Sequence, residues 1–447
     1  MVSASGFWAS RLGRGGRTVS VPGMHSRPLA WSLFGLFAFS AVAAPWPSWR
    51  GPNQNNTAPD GDYPLRWSKT EKVRWRTELP EAGNSSPVVW GNTVFVTQAV
   101  DDGKRRMLMA FDRQTGKLRW RQGVTHDEAD PRHQTNPHCA ASPVTDGERV
   151  VASFASAGIL AYDFAGKELW RSDLGKQRHG WGQGSSPVLH GEAVIVYHGP
   201  GEFSALHALN KRTGAKLWTV PLKEQQPAER FDGFAGKNNG EMGTFSTPLV
   251  VTANGRDEIV LPVVNRLRAF APADGRELWS AAGMNPLVYA SPTLGEGTLV
   301  TFGGYFGGVV FLRPGGEGDV TAKRLHFEQR MKKHTIGSPI IRDGHIYLSV
   351  TDGFLQCYEL ATGKLVFEER LPATGGSSAT WGSAVLVGDR IYVTNQSGDT
   401  LVLRAAPKFE LIASNPLGEP SNSTPAFSDG DVFLRTQAAL YCVAEGK

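Results

Sequence analysis

The chain has 447 residues, of which 40% are hydrophobic and 20% charged, and its formal net charge is +5. This apolar content excludes a disordered chain, a single long apolar run excludes a multi-span membrane protein, and three cysteines are too few for a disulfide scaffold of this size. The 52 glycines, 28 prolines and 13 tryptophans are typical of an all-β protein with many turns.

Residues 1–43 have the pattern of a secretory signal peptide. Arg27 closes a basic region, residues 29–39 are apolar, and Ala41-Val42-Ala43 is a small-residue cleavage site. Met24 is a possible true start, because the stretch from Met24 onward is a complete signal by itself. An uncleaved anchor is the alternative, although the apolar run is shorter than the about 20 residues of a membrane span. We therefore predict export to the periplasm or the medium, with cleavage near Ala43 and no transmembrane segment in the mature chain.

The basic balance of the chain belongs to this N-terminal segment. Its four arginines, taken from 47 basic residues, leave 43 against 42 acidic ones. The mature chain is therefore nearly neutral, and nothing in its charge favours nucleic-acid binding. We expect no nucleic-acid partner and a monomer.

An internal repeat begins after residue 84. Each copy starts with Ser-Pro or Thr-Pro, continues through short β runs separated by glycine-containing turns, and ends in Asp-x-x-Thr-Gly-Lys followed by Trp. The copies begin at Pro87, Pro143, Pro187, Pro248, Pro292, Pro339, Ala384 and Pro425. The fifth copy lacks the Thr-Gly-Lys and the Trp, and the sixth has Phe367 in the Trp position. Eight copies of about 45 residues, each with four short strands, predict an all-β fold, an eight-bladed β-propeller of four-stranded antiparallel blades.

The eighth copy ends before its outer strand. Residues 73–79 read as such a strand, with Trp75 in the Trp position. We predict that this N-terminal strand completes the eighth blade and closes the ring, which removes an exposed sheet edge. The domain organisation is then a signal peptide over 1–43, an N-terminal segment with the closing strand over 44–84, and propeller repeats over 85–447.

The tandem Asp-x-x-Thr-Gly-Lys-x-x-Trp repeats resemble the PQQ-like β-propeller repeat family. That family includes quinoprotein dehydrogenases and the propeller lipoprotein of the outer-membrane β-barrel assembly machinery. The opening Trp46-Pro47-Ser48-Trp49-Arg50-Gly51-Pro52 resembles that of exported PQQ-like propeller proteins of planctomycete-type bacteria. The resemblance spans roughly residues 45–447. It implies the fold and not an activity, because the motif consists of turn and packing residues.

The resemblance implies two alternative functions. Quinoprotein dehydrogenases bind PQQ and Ca²⁺ over the channel, and many stack an adjacent Cys-Cys ring on the cofactor. Here no two cysteines are adjacent, and Cys357 and Cys442 fall in blades six and eight, too far apart to bridge. The glycine-rich stretch 303–308 is interpreted as a turn and not as a nucleotide site. We expect a non-catalytic exported binding or protein-interaction scaffold of the cell envelope, of which an outer-membrane assembly role is one form. A PQQ-dependent dehydrogenase oxidising alcohols or sugars, with PQQ and Ca²⁺ as cofactors, is the alternative.

Two insertions precede the first strands of the second and fourth copies. The first, over 125–139, is interpreted either as a metal site or as a solvated polar loop. Its potential metal ligands are His126, Asp127, Glu128, Asp130, His133, His138 and Cys139. The second, over 223–244, carries the polar residues Arg230, Asp232, Lys237, Asn238, Asn239 and Glu241.

The loops that lead into the inner strands should lie together around one end of the channel. Their last residues are Asn84, Asn136, His138, Trp181, Gln183, Phe245, Tyr289, His334, Thr335, Trp381 and Asn422. Aromatic rings mixed with hydrogen-bonding groups are typical of a ligand site. The alternative is that these side chains pack against one another or bind water. We take the ring as the candidate site for an envelope protein, a peptide or a small molecule.

Overall fold

The structure is a computed structural model that describes residues 16–20, 44–128, 130–224, 227, 229–234, 236 and 241–446. The apolar run and the cleavage site of the signal peptide lie outside the described residues, so the signal remains a prediction. Lys237, Asn238 and Asn239 of the second insertion also lie outside them.

The chain from residue 44 onward forms eight four-stranded antiparallel sheets, and this eight-bladed β-propeller confirms the predicted fold class. The strands of blades 1 to 4, from the channel outward, are Val88–Trp90, Thr93–Val100, Arg105–Asp112 and Leu118–Thr125; Val144–Thr145, Arg149–Ser153, Ile159–Asp163 and Glu168–Ser172; Val188–His190, Ala193–His198, Ala205–Asn210 and Lys216–Pro221; and Leu249–Ala253, Arg256–Val263, Arg266–Phe270 and Glu277–Ala282.

Blades 5 to 8 follow the same order. Their strands are Thr293–Gly295, Thr298–Phe302, Val309–Leu312 and His326–Glu328; Ile340–Arg342, His345–Val350, Phe354–Glu359 and Leu365–Arg370; Val385–Val387, Arg390–Thr394, Asp399–Arg404 and Leu411–Pro416; and Ala426–Ser428, Asp431–Arg435, Ala439–Ala444 and Val73–Glu78. Most second and third strands are buried along their length, whereas most outer strands are largely exposed, so the apolar core lies between the blades.

A few short elements supplement the blades. Gly318–Asp319 adds a parallel fifth strand to the rim of blade 4, and Gly243–Thr244 pairs in parallel with Leu287–Val288. Two 3-10 helices cover Ala155–Ala157 and Thr321–Lys323. Within the described part of the chain, no helix is long and apolar enough to cross a membrane.

The N-terminal strand closes the ring as predicted. Val73–Glu78 runs antiparallel to Ala439–Ala444, the third strand of blade 8. Trp75 is buried at the junction with blade 1, where its Nε1 donates to the carbonyl oxygen of Arg113 at 2.7 Å. Its ring covers Gly116, which has a φ of +68° and no room for a Cβ. The closing junction is therefore built from the Trp and the glycine turn of the repeat.

The same Trp contact joins other neighbouring blades. The indole nitrogen donates to a turn carbonyl of the next blade in three further pairs: Trp120 with Phe164, Trp170 with Lys211 and Trp218 with Pro272, at 2.8–2.9 Å. Trp279 of blade 4 donates instead to Glu258 within its own blade at 2.7 Å. In the degenerate fifth copy His326 takes the place of the Trp and lies against Gly363 of blade 6.

A closed circle of hydrogen bonds surrounds the channel at the Ser or Thr that begins each copy. Each of these residues donates its backbone N–H to the hydroxyl of the equivalent residue in the next blade, at 2.8–3.0 Å. The members of this hydroxyl belt are Ser86, Ser142, Ser186, Thr247, Ser291, Ser338, Ser383 and Thr424. The belt satisfies buried N–H groups that would otherwise lack a partner and links all eight inner strands.

Residues 46–58, here called the channel plug, cross the channel beyond the belt, on the side toward which the inner strands run. Trp46 forms a backbone bridge with Val89 of blade 1. The buried guanidinium of Arg50 donates to the carbonyl oxygens of Pro292 and Pro339 in blades 5 and 6, at 2.5 and 3.3 Å. Burial lowers the pKa of Arg50 to about 9. The Trp-Pro-Ser-Trp-Arg-Gly motif thus closes one end of the channel.

Candidate functional site

The loops leading into the inner strands enclose a cavity of about 390 Å³ at the other end of the channel. Trp49 of the plug and hydroxyls of the belt lie among its lining residues. Nine of the candidate residues predicted from the sequence line this channel-mouth cavity: Asn84, Asn136, Trp181, Gln183, Phe245, Tyr289, His334, Trp381 and Asn422. The structure therefore brings most of the sequence-derived candidates to one place.

Two candidates lie elsewhere. Thr335 is 1% exposed, and its hydroxyl donates to the carbonyl oxygens of Gly337 and Ser349, so it holds the backbone of its own blade. His138 lies with Arg106 in a separate, small pocket beside the first insertion. Burial lowers the pKa of His138 to about 4, which keeps the imidazole neutral at physiological pH.

One side of the cavity is aromatic. The rings of Trp181, Phe245, Tyr289 and Tyr305, here called the aromatic wall, line the cavity and come from blades 3 to 5. Trp181 stacks on Tyr289 with ring centroids 6.0 Å apart, and Tyr305 meets Trp181 edge-on at 6.1 Å. Phe245 lies 5.5 Å from Tyr289. Because the rings contact one another, they form a continuous apolar surface.

Side-chain amides form another part of the lining. Asn422, Asn84, Asn136 and Gln183, here called the amide arc, belong to the consecutive blades 8, 1, 2 and 3. Asn136 donates its Nδ2 to the carbonyl oxygens of Trp181 and Gln183 at 2.8 and 2.9 Å, which fixes its orientation. Asn84 donates to the carbonyl oxygen of Thr135 at 3.1 Å, while its buried Oδ1 has no partner in the part of the chain that the structure describes.

Trp381 stands apart from the aromatic wall. It belongs to blade 7, and blade 7 lies opposite blade 3 in an eight-bladed ring. Among the described residues no aromatic ring packs against Trp381, and its indole N–H has no acceptor. The half-buried side chain therefore offers a ring face and a donor to whatever enters the cavity.

Several lining residues are not among the candidates predicted from the sequence. His133 and Thr135 come from the first insertion, where His133 Nδ1 lies 2.7 Å from the hydroxyl of Thr135. Tyr305 comes from the glycine-rich turn between the second and third strands of blade 5. In an antiparallel blade this turn lies at the same end as the loop leading into the first strand. That topological rule is the signal that would have identified Tyr305.

The first insertion is held by ion pairs. Asp130 is buried and lies 2.7 Å from Arg106, and Glu128 lies 2.6 Å from Arg178. Within the ranges that the structure describes, no three His, Cys, Asp or Glu side chains are placed to hold a metal ion. Cys139 is a buried free thiol whose pKa burial raises to about 12. The polar residues of this loop thus contribute to folding contacts.

The cavity lining carries no permanent charge. None of the described residues that line it is Asp, Glu, Lys or Arg. Burial lowers the pKa of His334, against the opposing effect of Asp352 at 3.7 Å. An ion transferred from water to this site would meet no opposite charge among these residues.

This donor set does not fit PQQ with Ca²⁺. The carboxylates of PQQ require cationic partners, and Ca²⁺ takes six to eight oxygen ligands, usually including carboxylates. The described lining supplies aromatic surface and amide oxygens, but no guanidinium, ammonium or carboxylate group.

Comparison with known proteins places the chain in a family. The family model described as outer membrane protein assembly factor BamB matches residues 65–205, 156–251 and 264–446. Among solved structures, BamB from Moraxella catarrhalis is 13% identical, with a TM-score of 0.57 and coverage of 83% of this chain and 98% of that one. The comparison with curated proteins found no match.

Two dehydrogenases share the fold at similarly low identity. A europium-containing methanol dehydrogenase is 14% identical, with a TM-score of 0.63 and coverage of 87% of this chain and 89% of that one. Quinohemoprotein alcohol dehydrogenase from Comamonas testosteroni is 12% identical, with a TM-score of 0.63 and coverage of 90% and 81%. These likenesses show the fold alone. On the strength of the family match, which covers most of its length, the chain belongs to the PQQ-like propeller family described by the BamB model.

Proposed function

We propose that the chain is an exported, non-catalytic binding protein of the cell envelope, and that the channel-mouth cavity is its binding site. The observation that carries this proposal is a cavity whose described lining combines the free ring of Trp381, an aromatic wall and free amide atoms, and carries no permanent charge. Such a lining can bind and orient an uncharged group, and its described residues include no carboxylate, ammonium or guanidinium group for acid–base catalysis.

The family supports the envelope part of this proposal. The matching model is described as an outer membrane assembly factor, and the signal peptide predicted at residues 1–43 would deliver the chain to that compartment. The plug closes the base of the cavity. A loop of an envelope partner, or a small ligand, would therefore enter from the open end.

A titration with PQQ and Ca²⁺ separates this proposal from the dehydrogenase alternative. We expect neither saturable PQQ binding nor dye-linked oxidation of alcohols and sugars. Saturable PQQ binding with turnover would contradict the proposal, and loss of both in Trp381→Ala would place the PQQ in the channel-mouth cavity.

Capture from an envelope fraction tests the binding role directly. Immobilised wild-type protein should retain an envelope component that Trp181→Ala and Trp381→Ala lose by about tenfold or more, the effect typical of a truncated binding anchor. Leu217→Ala is the matched control, since Leu217 is exposed on the rim of blade 3, away from the cavity. Equal retention by all variants would reject the cavity as the site.

A further inference from the structure

We infer that the channel-mouth cavity recognises a neutral saccharide, bound with its ring against Trp381 and its hydroxyl groups against the amide arc. This inference rests on the proposed binding function and specifies the ligand class of the same site.

The aromatic side chains of the cavity fall into two separate groups. Trp381 and the aromatic wall lie on opposite sides of the channel, in blade 7 and in blades 3 to 5. A sugar ring has apolar C–H faces and a polar rim of hydroxyl groups. A ring lying against Trp381 would bury one such face while its rim stays free for hydrogen bonds.

The amide arc supplies the matching hydrogen bonds. The Oδ1 atoms of Asn84 and Asn136 have no donor, and the Nδ2 of Asn422 has no acceptor within the described part of the chain, since Asn422 uses only its Oδ1, with Gln396 at 3.0 Å. A hydroxyl group both donates and accepts, so it suits both kinds of atom. A buried acceptor without a partner, such as Asn84 Oδ1, destabilises the protein, and a bound hydroxyl group would relieve this cost.

The electrostatics select among ligand classes. Without a described cation or anion in the lining, acidic and basic sugars would lose hydration and gain no ion pair. A quaternary ammonium ligand would need an open cage of ring faces. Here the rings of the aromatic wall, such as Trp181 and Tyr289, stack on one another and leave no such cage.

The test uses matched neutral and charged trisaccharides. Galactotriose, cellotriose, maltotriose and xylotriose are titrated against the full mature protein by calorimetry and tryptophan fluorescence, with trigalacturonate and triglucosamine as charged counterparts. We expect at least one neutral trisaccharide to bind with a Kd below about 1 mM, and trigalacturonate and triglucosamine each to bind at least about tenfold more weakly than it does.

Two substitutions of Trp381 localise the binding. Trp381→Ala should weaken the binding about tenfold or more, Trp381→Phe should retain part of it because a ring face remains, and Leu217→Ala should leave it unchanged. Thermal unfolding of each variant shows whether a loss of binding reflects a loss of folding.

The inference is overturned if no neutral trisaccharide binds at about 10 mM, if charged counterparts bind equally well, or if Trp381→Ala binds as the wild type does. If the sugars fail while an envelope peptide or protein is retained in a Trp381-dependent manner, the binding function stands and only the saccharide is rejected. If the cavity variants alter neither sugar binding nor envelope capture, both proposals fail.

Discussion

Single residues around the channel divide into those whose polar groups are satisfied within the fold and those whose groups remain free. Thr335 and Trp381 arise from the same sequence pattern, yet the hydroxyl of Thr335 has two carbonyl acceptors and the indole of Trp381 has none. Among the described residues the buried Oδ1 of Asn84 also lacks a partner, and the free-energy cost of such a buried group is one that a ligand can offset. Hydrogen-bond partners therefore identify candidate binding residues more sharply than residue type does.

Two buried histidines make stability depend on pH. His198 and His207 are 1% and 5% exposed, and burial lowers the pKa of both, that of His207 to about 4. An unfolded histidine titrates at about 6.5, so between pH 6.5 and 4 the unfolded state binds more protons than the folded one. The free energy of unfolding should therefore fall as the pH drops through this range, with His207 accounting for about 2–3 kcal/mol near pH 4.

Urea unfolding at pH 7.5, 5.5 and 4.5 measures this dependence. His207→Gln should show a shallower decline than the wild type, because Gln does not titrate. His126→Gln, in a partly exposed loop, should decline as the wild type does. Identical slopes for the wild type and His207→Gln would show that His207 is not the group responsible.

The elements of the ring are joined by one repeated contact. The Trp of an outer strand covers the glycine turn of the next blade and donates to a turn carbonyl, as Trp75 and Trp120 do. The closing junction between blades 8 and 1 is thus chemically equivalent to an internal junction such as that between blades 1 and 2. Closure should stabilise the fold about as much as any other junction.

Substituting these tryptophans tests that equivalence. Trp75→Ala and Trp120→Ala should each lower the free energy of unfolding by about 3–5 kcal/mol, since each removes a large packed ring and a hydrogen bond. Deletion of residues 45–84 should lower the melting temperature further, because it also removes the plug. Leu217→Ala, exposed on the rim, should cost little. A deletion variant that melts at the wild-type temperature would refute closure by the N-terminal strand.

The N-terminal segment makes two structural contributions to the whole propeller. Residues 46–58 close the channel, and Val73–Glu78 completes blade 8. The segment makes contacts as early as residue 44, since the hydroxyl of Ser428 donates to the carbonyl oxygen of Ala44 at 2.6 Å. Ala44, which follows the predicted cleavage site directly, is thus in contact with blade 8.

Expression of the full chain in a Gram-negative host tests export. Mass spectrometry should find a mature N-terminus at Ala44 in the periplasmic fraction, both for the full chain and for a chain starting at Met24. Ala43→Asp should block processing, because the cleavage site requires small residues. A full-length cytoplasmic product from the wild-type gene would contradict export.

The number of blades, the position of each copy and the closing strand could all be predicted from the amino-acid sequence. Turns, alternating apolar runs and the Trp signature are local features that repeat eight times, so each copy supports the others. Most of the candidate residues named from the sequence line the cavity, because the residues before an inner strand must lie at one end of the ring. His138 and Thr335 satisfy the same positional rule and yet lie elsewhere, since a positional rule does not specify side-chain partners.

Only the tertiary structure decided which groups face the cavity and what closes its base. Trp49 reaches the channel from the N-terminal plug and Tyr305 from a turn in blade 5, more than 250 residues apart in the chain. No local pattern encodes that meeting, because it depends on ring closure and on the side-chain packing of all eight blades. The absence of charge in the described lining is likewise a property of the assembled surface, since charged residues such as Asp130 and Arg106 from the same stretches pair away from it.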